Sequence, residues 1–352
     1  MVGLFPPPLG GMASVQQALY ERFTAEGLSA ERLSTSPVNL KRDLFSRLSR
    51  WNGVVHAWIR LLGARAGEDM LYMAPSGRWG QVYDLVSLCI ARFRKLRCVL
   101  HHHNYNYLDR RSRLAAMLMR IAGPGALHVA LCDDMACRLR SLYGVRQTLL
   151  LSNVLFSRGQ PLQRANTRLR SMGFLSILMK EKGTEAVIEL AARIKETELP
   201  LQVIVAGPCL DPDLRKNLES AVESGCLEWR GPVYGEEKDR FWQDIDAFVF
   251  PTKFSSESDP NVVWESLAAG VPLITYPRGC IAEQVGDAAV IVAPGDDFVS
   301  IALETLKGWI SDPDEYRRYA QNTGAHYRAM KVRAGEQWQA LLHALSSGEA
   351  AA

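Results

Sequence analysis

Short apolar runs alternate along the chain with longer segments in which apolar residues recur every three or four positions. The short runs predict buried strands, as at Asp69–Ala74, Leu201–Ala206 and Ile245–Phe250. The longer segments predict helices, at Gln81–Phe93, Tyr105–Ile121, Asp133–Tyr143, Thr184–Glu196 and Glu236–Asp244. Strands and helices that alternate in this way form mostly parallel sheets covered by helices. The pattern therefore predicts an α/β protein.

The segment Phe250–Pro272 carries the most informative pattern. The strand predicted at its start is followed by a polar loop and then by a helix that Asn261 can cap. Gly270 ends this helix, because glycine adopts the left-handed turn that closes many helices. Two acidic residues, Glu257 on the loop and Glu265 in the helix, are separated by seven residues.

This arrangement suits a nucleotide, because ligands of open parallel sheets bind at the carboxyl ends of strands and beside helix N-termini. The backbone N–H groups of Asn261 and Val262 can face a diphosphate. Glu257 can reach a bound sugar, and Glu265 can accept hydrogen bonds from ribose hydroxyls. An ordinary strand, loop and helix with two surface acids has the same spacing, so the spacing alone leaves both interpretations open.

Three stretches around these acids resemble the retaining glycosyltransferases of the glycosyltransferase-B fold, the large E-x7-E family of glycosyltransferase family 4-like enzymes of bacterial glycan assembly. They are DAFVFPT, ESLAAGVPLI and RGCIAEQVGDAAVIVAPGD. The resemblance implies an α/β fold with two Rossmann-like domains facing across a cleft. It also implies retaining transfer of a sugar from a nucleotide-sugar to an acceptor hydroxyl. The likeness is specific over residues 169–295 and loose before residue 150.

The resemblance also assigns residues to the donor site. The family's Gly-Arg-x-x-x-x-Lys-Gly segment, which clamps the donor diphosphate, corresponds to SILMKEKG here. Lys182 matches the lysine, whereas Ile177 stands in place of the arginine. Lys180 can partly replace that charge, although a lysine lacks the bidentate fork of a guanidinium. The pair Gly10-Gly11 resembles the family's N-terminal glycine loop, which approaches the donor phosphates and for which glycine permits a close backbone contact.

Three consecutive histidines, His101, His102 and His103, follow the strand predicted at Arg97–Leu100. The end of a parallel strand is where this architecture binds ligands, and the family commonly has a histidine there, near the donor sugar or the acceptor. The residues do not decide which of the three has this role, and a polar cap of the strand is the alternative. Because side chains alternate along an extended chain, the three do not suit joint binding of one metal ion.

The implied reaction needs neither a metal nor a cofactor, since the nucleotide-sugar is a co-substrate. The sequence Asp244-Ile-Asp246 is a D-x-D of the kind that holds a metal elsewhere, but it directly precedes a buried strand and is interpreted as a helix end. By the resemblance, Lys182 and backbone N–H groups neutralise the leaving diphosphate. Two alternatives stay open: a non-catalytic binding or activating subunit, which Ile177 suggests, and a sugar-nucleotide epimerase of similar fold.

At 352 residues the chain suits two domains. We expect an N-terminal acceptor domain at 1–158, a linker at 159–168 and a donor domain at 169–330. The resemblance adds a helix at 331–352 that packs back on the first domain and ends in a frayed tail. Several of the seven cysteines lie in apolar runs and are expected to be buried free thiols, which favours a reducing compartment. No apolar run reaches about 18 residues, so a cytoplasmic protein without a membrane span is expected.

Charge is unevenly distributed. Residues 1–160 carry 21 basic and 10 acidic residues, a net charge of +11, while the remainder carries a net charge of −8. A helix predicted within residues 41–66 places Trp51 and Trp58 between arginines, which suits an anionic membrane surface, although a core-facing helix with a solvated basic face is the alternative. The expected partners are thus a nucleotide-sugar, a glycan or lipid-linked acceptor and the inner face of a membrane. A nucleic-acid partner is not expected, because no aromatic-rich recognition motif accompanies the basic residues.

Overall fold

The structure is a computed structural model that describes residues 1–7, 10–36, 44–157 and 168–347, with residues 44–49 described through their backbone alone. The linker predicted at 159–168 lies outside the described residues except for Arg168, and so does the tail at 348–352. The chain divides into two units. The first unit comprises Met1–Phe156 with Ala334–Ala352, and the second comprises Ser157–Arg333.

The first unit is built on a parallel six-stranded sheet. Its strands are β1 (Val2–Gly3), β2 (Leu33–Ser34), β3 (Met70–Met73), β4 (Arg97–His101), β5 (Leu127–Ala130) and β6 (Gln147–Leu150). They lie in the order β2-β1-β3-β4-β5-β6, and every pairing is parallel. The central strands are buried along almost their whole length, as parallel strands covered on both faces require.

The helices of the first unit are α1 (Gly11–Ala25), α2 (Leu44–Leu62), α3 (Gln81–Phe93), α4 (Asn106–Asp109), α5 (Arg113–Ala122) and α6 (Asp133–Tyr143). The sequence predicted one helix over Tyr105–Ile121, and this was wrong because α4 and α5 are separate. Ser112 lies between them with extended backbone, and its hydroxyl accepts a hydrogen bond from the backbone N–H of Ala115. A serine in this position starts a new helix by satisfying one of its free N–H groups.

The second unit has its own parallel six-stranded sheet. Its strands are β7 (Ser171–Leu175), β8 (Gln202–Ala206), β9 (Glu228–Trp229), β10 (Ala247–Phe250), β11 (Leu273–Thr275) and β12 (Ala289–Ile291). The order is β12-β11-β10-β7-β8-β9, so β10 is central. Its helices are α7 (Thr184–Glu196), α8 (Pro212–Glu223), α9 (Glu236–Asp244), α10 (Asn261–Ala268), α11 (Ile281–Val285), α12 (Phe298–Ser311) and α13 (Pro313–Ser347). Each unit is Rossmann-like, which confirms the predicted fold class.

The last turns of α13 belong to the first unit. The indole of Trp338 lies 5.0 Å from the ring of Phe23 and donates a hydrogen bond of 2.9 Å to the carboxylate of Glu26. The guanidinium of Arg97 donates to the carbonyl oxygens of Ala344 and Leu345. A buried indole and two satisfied carbonyls therefore hold the C-terminal part of the helix in this unit.

None of the described helices is both long enough and apolar enough to cross a membrane. Cys98 and Cys209 are buried free thiols, as the sequence predicted for several cysteines. Cys132 and Cys280 do not carry free thiols, so the expectation is wrong for these two.

Candidate active site

Lys182 and Glu257 meet because they follow two neighbouring parallel strands. Strand β7 pairs with β10, with Met172 opposite Ala247, and the carboxyl ends of parallel strands lie at one edge of a sheet. The ammonium of Lys182 forms an ion pair with the carboxylate of Glu257, and their side chains are only 15% and 10% exposed. The hydroxyl of Thr252 donates a hydrogen bond of 3.1 Å to the same carboxylate oxygen.

Aromatic rings complete the surroundings of Lys182. Its Nζ lies 5.0 Å from the ring centre of Phe254 and 5.7 Å from that of Phe250, both within range of a cation–π interaction. An ion pair withdrawn from water in this way is expensive to break, because removing one partner leaves a buried charge unpaired. The positive charge of Lys182 is therefore compensated by Glu257 within the protein.

Two glycines bring the backbones of three loops together at this edge. Gly183 has φ +85°, and a Cβ there would lie 2.4 Å from the carbonyl oxygen of Pro251. Gly279, after β11, has φ +63°, and a Cβ there would lie 2.5 Å from the carbonyl oxygen of Glu257. Other residues rarely adopt such a φ, and no side chain fits into either gap. The loops that follow β7, β10 and β11 are thus in direct backbone contact.

Side chains from the same unit hold the loop that carries Glu257. The guanidinium of Arg278 donates to the carbonyl oxygen of Phe254 at 3.0 Å. The indole of Trp264 donates to the buried carboxylate of Asp259 at 2.8 Å. The backbone carbonyl of Ser258 accepts a hydrogen bond from the backbone N–H of Cys280. A loop whose polar groups are satisfied by its neighbours can present Glu257 in a fixed position.

Glu265 lies in α10 and faces α9. Its Oε1 is 2.5 Å from the Nζ of Lys238, and both side chains are less than one-third exposed. Burial raises the pKa of the Glu265 carboxyl, while the ammonium of Lys238 and the indole of Trp242 act in the opposite direction. Lys238 therefore favours the ionised form of Glu265, which is the form that accepts hydrogen bonds at both oxygens.

The first turn of α10 differs from the prediction at one residue. Asn261 does not cap the helix: Pro260 occupies the N-cap position with φ −68°, and Asn261 is already the first helical residue, without a capping hydrogen bond from its side chain. Proline reaches this position readily because its ring fixes φ near this value. Asn261 and Val262 are half-buried, and their backbone N–H groups belong to the first turn, whose N–H groups have no acceptor within a helix.

Lys180 and Ile177 lie at the surface near β7. Lys180 pairs with Glu185 at 3.2 Å, with both side chains about half exposed, and this hydrogen bond raises the pKa of Lys180. Ile177, where the resembling family has an arginine, is 46% exposed. The structure therefore brings together Lys182 and Glu257, but it places Lys180 with a different acid and Glu265 with a different lysine.

The glycine pair predicted from the sequence lies at the start of α1 in the first unit. Gly10 is the N-cap with extended backbone at φ −161°, and Gly11 is the first helical residue. A Cβ at either position would meet no described atom within 4 Å. Neither backbone angle nor a close described neighbour explains glycine here, so open space adjoins this helix start.

The three histidines are buried at the end of β4 and just beyond it. His102 shares hydrogen bonds of 2.7 Å with the hydroxyl of Tyr107 and 3.0 Å with the ring of His128. His101 bonds the hydroxyl of Tyr72 at 2.8 Å, and its ring lies 4.0 Å from that of His103. The rings of His101 and His103 are thus adjacent to one another, as the alternation of an extended chain predicts.

Burial determines the charge state of this cluster, because a charged imidazole loses its hydration. The pKa of His103 falls to about 3 and that of His128 to about 4, and the pKa values of His101 and His102 also lie well below the usual range. The cluster is therefore neutral at physiological pH. No group of side chains suited to a metal ion occurs among the described residues.

The D-x-D sequence has a structural role at both acids. Asp246 is buried, and its carboxylate accepts hydrogen bonds from the backbone N–H groups of Arg170 and Ser171 and from the hydroxyl of Ser171. Asp244 is the last residue of α9 and pairs with Arg230 at 2.6 Å. The contacts of Asp246 fasten the beginning of β7 to the residues before β10, and the ion pair of Asp244 joins the end of α9 to the residue after β9.

Three contributors to the site were not predicted from the sequence: Thr252, Lys238 and Trp242. Thr252 could have been predicted, because it belongs to the Pro-Thr pair that directly follows β10. Lys238 and Trp242 are four residues apart, so they lie on one face of α9. That spacing shows which side of α9 the two residues share. Nothing in the sequence indicates that this side contacts Glu265 of α10.

The chain is similar to known proteins in sequence pattern and in fold. Residues 170–307 match the family model of the group 1 glycosyl transferases. No curated protein matches the sequence. Among solved structures, HepE from Anabaena in complex with UDP is similar over 98% of both chains, with a TM-score of 0.69 and 14% identity. Sucrose-phosphate synthase from Thermosynechococcus elongatus is similar over 97% of this chain and 99% of its own, with a TM-score of 0.69 and 16% identity.

A third similar structure is WaaG, a glycosyltransferase involved in lipopolysaccharide biosynthesis. It covers 93% of this chain and 94% of its own, with a TM-score of 0.60 and 12% identity. At such identities the likeness concerns the fold. The two Rossmann-like units are those of the glycosyltransferase-B fold.

Proposed function

We propose that this chain, whose residues 170–307 match the family model of the group 1 glycosyl transferases, transfers a sugar from a nucleotide-sugar to an acceptor hydroxyl. We further propose that the sugar is a hexose, that its configuration is retained, and that neither a metal nor a cofactor is needed. The buried pair of Lys182 and Glu257 carries this proposal. It places a cation and a sugar-binding carboxylate together at the strand edge where such folds bind nucleotides.

The proposed roles follow from the contacts of each side chain. Lys182 exchanges Glu257 for the leaving diphosphate, and the N–H groups of Asn261 and Val262 supply further positive potential from the start of α10. Glu257, released from the lysine, accepts hydrogen bonds from the hydroxyls of the sugar. These groups are preorganised around the charge that develops as the diphosphate departs. No proton transfer to the leaving group is required, because the diphosphate leaves as an anion.

The remaining predicted residues keep proposed roles. Glu265 accepts hydrogen bonds from the ribose hydroxyls, and Lys180 adds charge near the diphosphate. Gly10 and Gly11 permit phosphate oxygens to approach the start of α1, where a Cβ would meet no described atom. One or more of the three histidines lies near the sugar or the acceptor. Being neutral, such a histidine can act as a hydrogen-bond donor or acceptor without repelling a cation.

The acceptor is proposed to be a glycan or a lipid-linked glycan precursor at the inner face of a membrane. Two observations support this assignment. The structurally similar WaaG acts in lipopolysaccharide biosynthesis, and the first 160 residues carry a net charge of +11. A basic surface attracts phosphorylated or acidic acceptors.

Ile177 favours one other candidate, a subunit that binds the nucleotide without turnover. An exposed isoleucine supplies no charge where the family has an arginine, so the leaving group loses one stabilising contact. A sugar-nucleotide epimerase is distinguished by its products, because it converts the donor without an acceptor. A transferase thus consumes the nucleotide-sugar when an acceptor is present, an epimerase converts it without an acceptor, and a binding subunit leaves it unchanged.

Thermal denaturation with nucleoside diphosphates and nucleotide-sugars tests the proposal, beginning with UDP and UDP-glucose, which are bound in HepE structures. A ligand at 100 times its dissociation constant stabilises by about 2.7 kcal/mol. We expect stabilisation by one base, and acceptor-dependent turnover with retained anomeric configuration in the presence of a chelator. Glu257→Gln should abolish turnover, and the exposed Glu236→Gln in α9 should not. Turnover that survives Glu257→Gln, or absence of stabilisation by every nucleotide, would overturn the assignment.

A further inference from the structure

Helices α2 and α3 lie side by side in the first unit and expose apolar side chains on their outer surface. The ring of Trp51 contacts that of Tyr83 at 5.2 Å, and the indole of Trp58 donates to the hydroxyl of Ser87 at 3.1 Å. We call the outer surface of this pair the α2–α3 face. Its exposed apolar members are Trp51, Val55, Ile59 and Leu62 of α2 and Val82, Val86 and Phe93 of α3.

The spacing of these residues shows that the exposure is systematic. On α2 they recur after four, four and three residues, and on α3 after four and seven, which places each set on one side of its helix. Ile59 is 61% exposed and Phe93 is 78% exposed, and Trp79, in the turn before α3, is 81% exposed. Single exposed apolar residues are common, whereas a continuous group of this size marks an interaction surface.

Basic residues outnumber acidic residues in the part of the chain that carries the face. Residues 51–123 contain eleven basic and four acidic residues, a net charge of +7. Arg78 precedes Trp79, and Arg92 and Lys95 flank Phe93. These three basic side chains are exposed and form no ion pair with any residue that the structure describes.

The acids of this region do not offset that charge. Asp84 is buried, and Glu68 pairs with Arg65. Arg60 forms an ion pair with Glu31, which lies outside this region, so Arg60 is not counted among the unpaired cations. The neighbouring α5 adds exposed Arg113 and Arg120 beside its exposed Met117. The surface therefore combines apolar side chains with unpaired cations.

We infer that the α2–α3 face binds an anionic lipid bilayer, with its apolar side chains in the interface and its cations on the headgroups. Each basic side chain near an anionic surface contributes on the order of 1 kcal/mol, so several together support reversible attachment without a membrane span. A protein partner of ordinary composition does not need this excess of one charge. The inference concerns a surface of the first unit and does not depend on sugar transfer.

The structure revises the sequence-based hypothesis at one tryptophan. Trp58 was expected to lie on the membrane-facing stripe with Trp51, but it is directed towards α3, where Ser87 satisfies its indole. Ile59 and Phe93, which were not part of the predicted stripe, are exposed in its place. Of the other residues of that stripe, Val55 and Leu62 are exposed, and Leu44 and Leu48 are described through their backbone alone.

Vesicle sedimentation with the full chain tests the inference. We expect binding to phosphatidylcholine vesicles that contain about one-third phosphatidylglycerol, little binding to pure phosphatidylcholine, and release as salt shortens the screening length below about 10 Å. The double variant Ile59→Ser/Phe93→Ser should lower the partition coefficient at least tenfold. Arg92→Gln/Lys95→Gln should lower it severalfold and reduce its salt dependence. Circular dichroism checks that the variants remain folded.

Matched controls lie in the second unit. Leu210→Ser changes an equally exposed apolar residue, and Lys216→Gln an exposed lysine, and both should bind vesicles as the wild type does. Equal binding to neutral and anionic vesicles, or no binding to either, overturns the inference. So does a concentration-dependent dimer that Ile59→Ser/Phe93→Ser dissociates in the absence of vesicle binding, because the face then serves a second copy of this chain.

Discussion

At the residue scale, the two acids of the E-x7-E pair are each held by a lysine. Glu257 pairs with Lys182 and Glu265 with Lys238, and all four side chains are less than one-third exposed. In such surroundings a charge without a partner is costly. Lys238 therefore favours the ionised form of Glu265, and Lys182 forms the buried ion pair with Glu257. The two lysines differ in their proposed roles: in the proposed site a diphosphate replaces Glu257 as the partner of Lys182, whereas Lys238 keeps Glu265 as its partner.

Lys182→Gln should reduce kcat/KM for the nucleotide-sugar by at least a hundredfold. With Ile177 in place of an arginine, Lys182 carries most of the side-chain charge at the diphosphate. The loss of one preorganised contact costs about 2.7–4 kcal/mol at a comparable site. Lys216→Gln, which removes an exposed lysine of α8 that has no role in the proposed site, is the control and should leave kcat/KM unchanged. Comparable losses in both variants would show that position 182 has no special role.

Lys238 is expected to be a positioning residue for Glu265. In Lys238→Met the carboxyl stays buried without its cation, so its pKa rises further and nucleotide affinity should weaken as the pH falls, beginning at a higher pH than in the wild type. The other charged or polar groups that face Glu265 are Asp239 and Trp242 of α9 and Tyr327 of α13. Calorimetric titration with the nucleoside diphosphate between pH 5 and 9 measures the effect, and Lys238→Arg should restore the wild-type profile. Tighter binding in Lys238→Met would mean that the lysine competes with the ribose.

At the scale of elements, the bounds of several helices could be predicted from local pattern. The helices at Gln81–Phe93, Asp133–Tyr143, Thr184–Glu196 and Glu236–Asp244 have the predicted bounds, because glycines and the apolar period mark their ends. The prediction of a single helix over Tyr105–Ile121 was wrong, because Ser112 caps a new helix inside this periodic sequence. Glu265 could be proposed from the E-x7-E spacing together with the family resemblance around it, but its partner Lys238 could not, because α9 and α10 come into contact only in the folded protein.

The backbone contact at Gly279 leads to a prediction for the loop that carries Glu257. Gly279→Ala places a methyl group 2.5 Å from the carbonyl oxygen of Glu257 and strains a φ of +63°, so the loop must move. We expect destabilisation of more than about 1 kcal/mol and a loss of turnover larger than the loss of nucleotide affinity. Urea unfolding and steady-state kinetics measure both.

Gly225→Ala is the control for this experiment. Gly225 has a similar φ of +70°, but its nearest described neighbour is 3.9 Å away, at the flexible end of Lys195. This variant bears the backbone strain without the collision and should retain wild-type kcat. If both alanine variants lose kcat equally, the contact with Glu257 is not what positions the loop.

At the scale of the whole molecule, buried titratable groups couple stability to pH in opposite directions. Burial raises the pKa of Asp84 from 3.8 to about 7, although the N–H and hydroxyl of Ser76 and the charge of Arg50 oppose this. The unfolded chain loses this proton near pH 4 and the folded chain near pH 7, so this group makes the protein less stable as pH rises between these values. Four buried histidines act in the reverse sense, because their pKa values are lowered.

For the histidines, the unfolded chain binds protons below the ordinary value of 6.5 while the folded cluster stays neutral, so stability is full above pH 6.5 and falls as the pH is lowered. Each such group contributes up to about 1.4 kcal/mol per pH unit. Because these four histidines outnumber Asp84 and Glu265, the two described carboxyls whose pKa values burial raises, we expect the free energy of unfolding to decrease from pH 6.5 towards pH 4. His128→Gln should make this slope shallower, whereas the exposed His56→Gln should leave it unchanged. Urea unfolding at several pH values measures the slopes. A slope in His128→Gln equal to that of the wild type would mean that His128 is protonated in the folded protein and that its bond to His102 does not join two neutral rings.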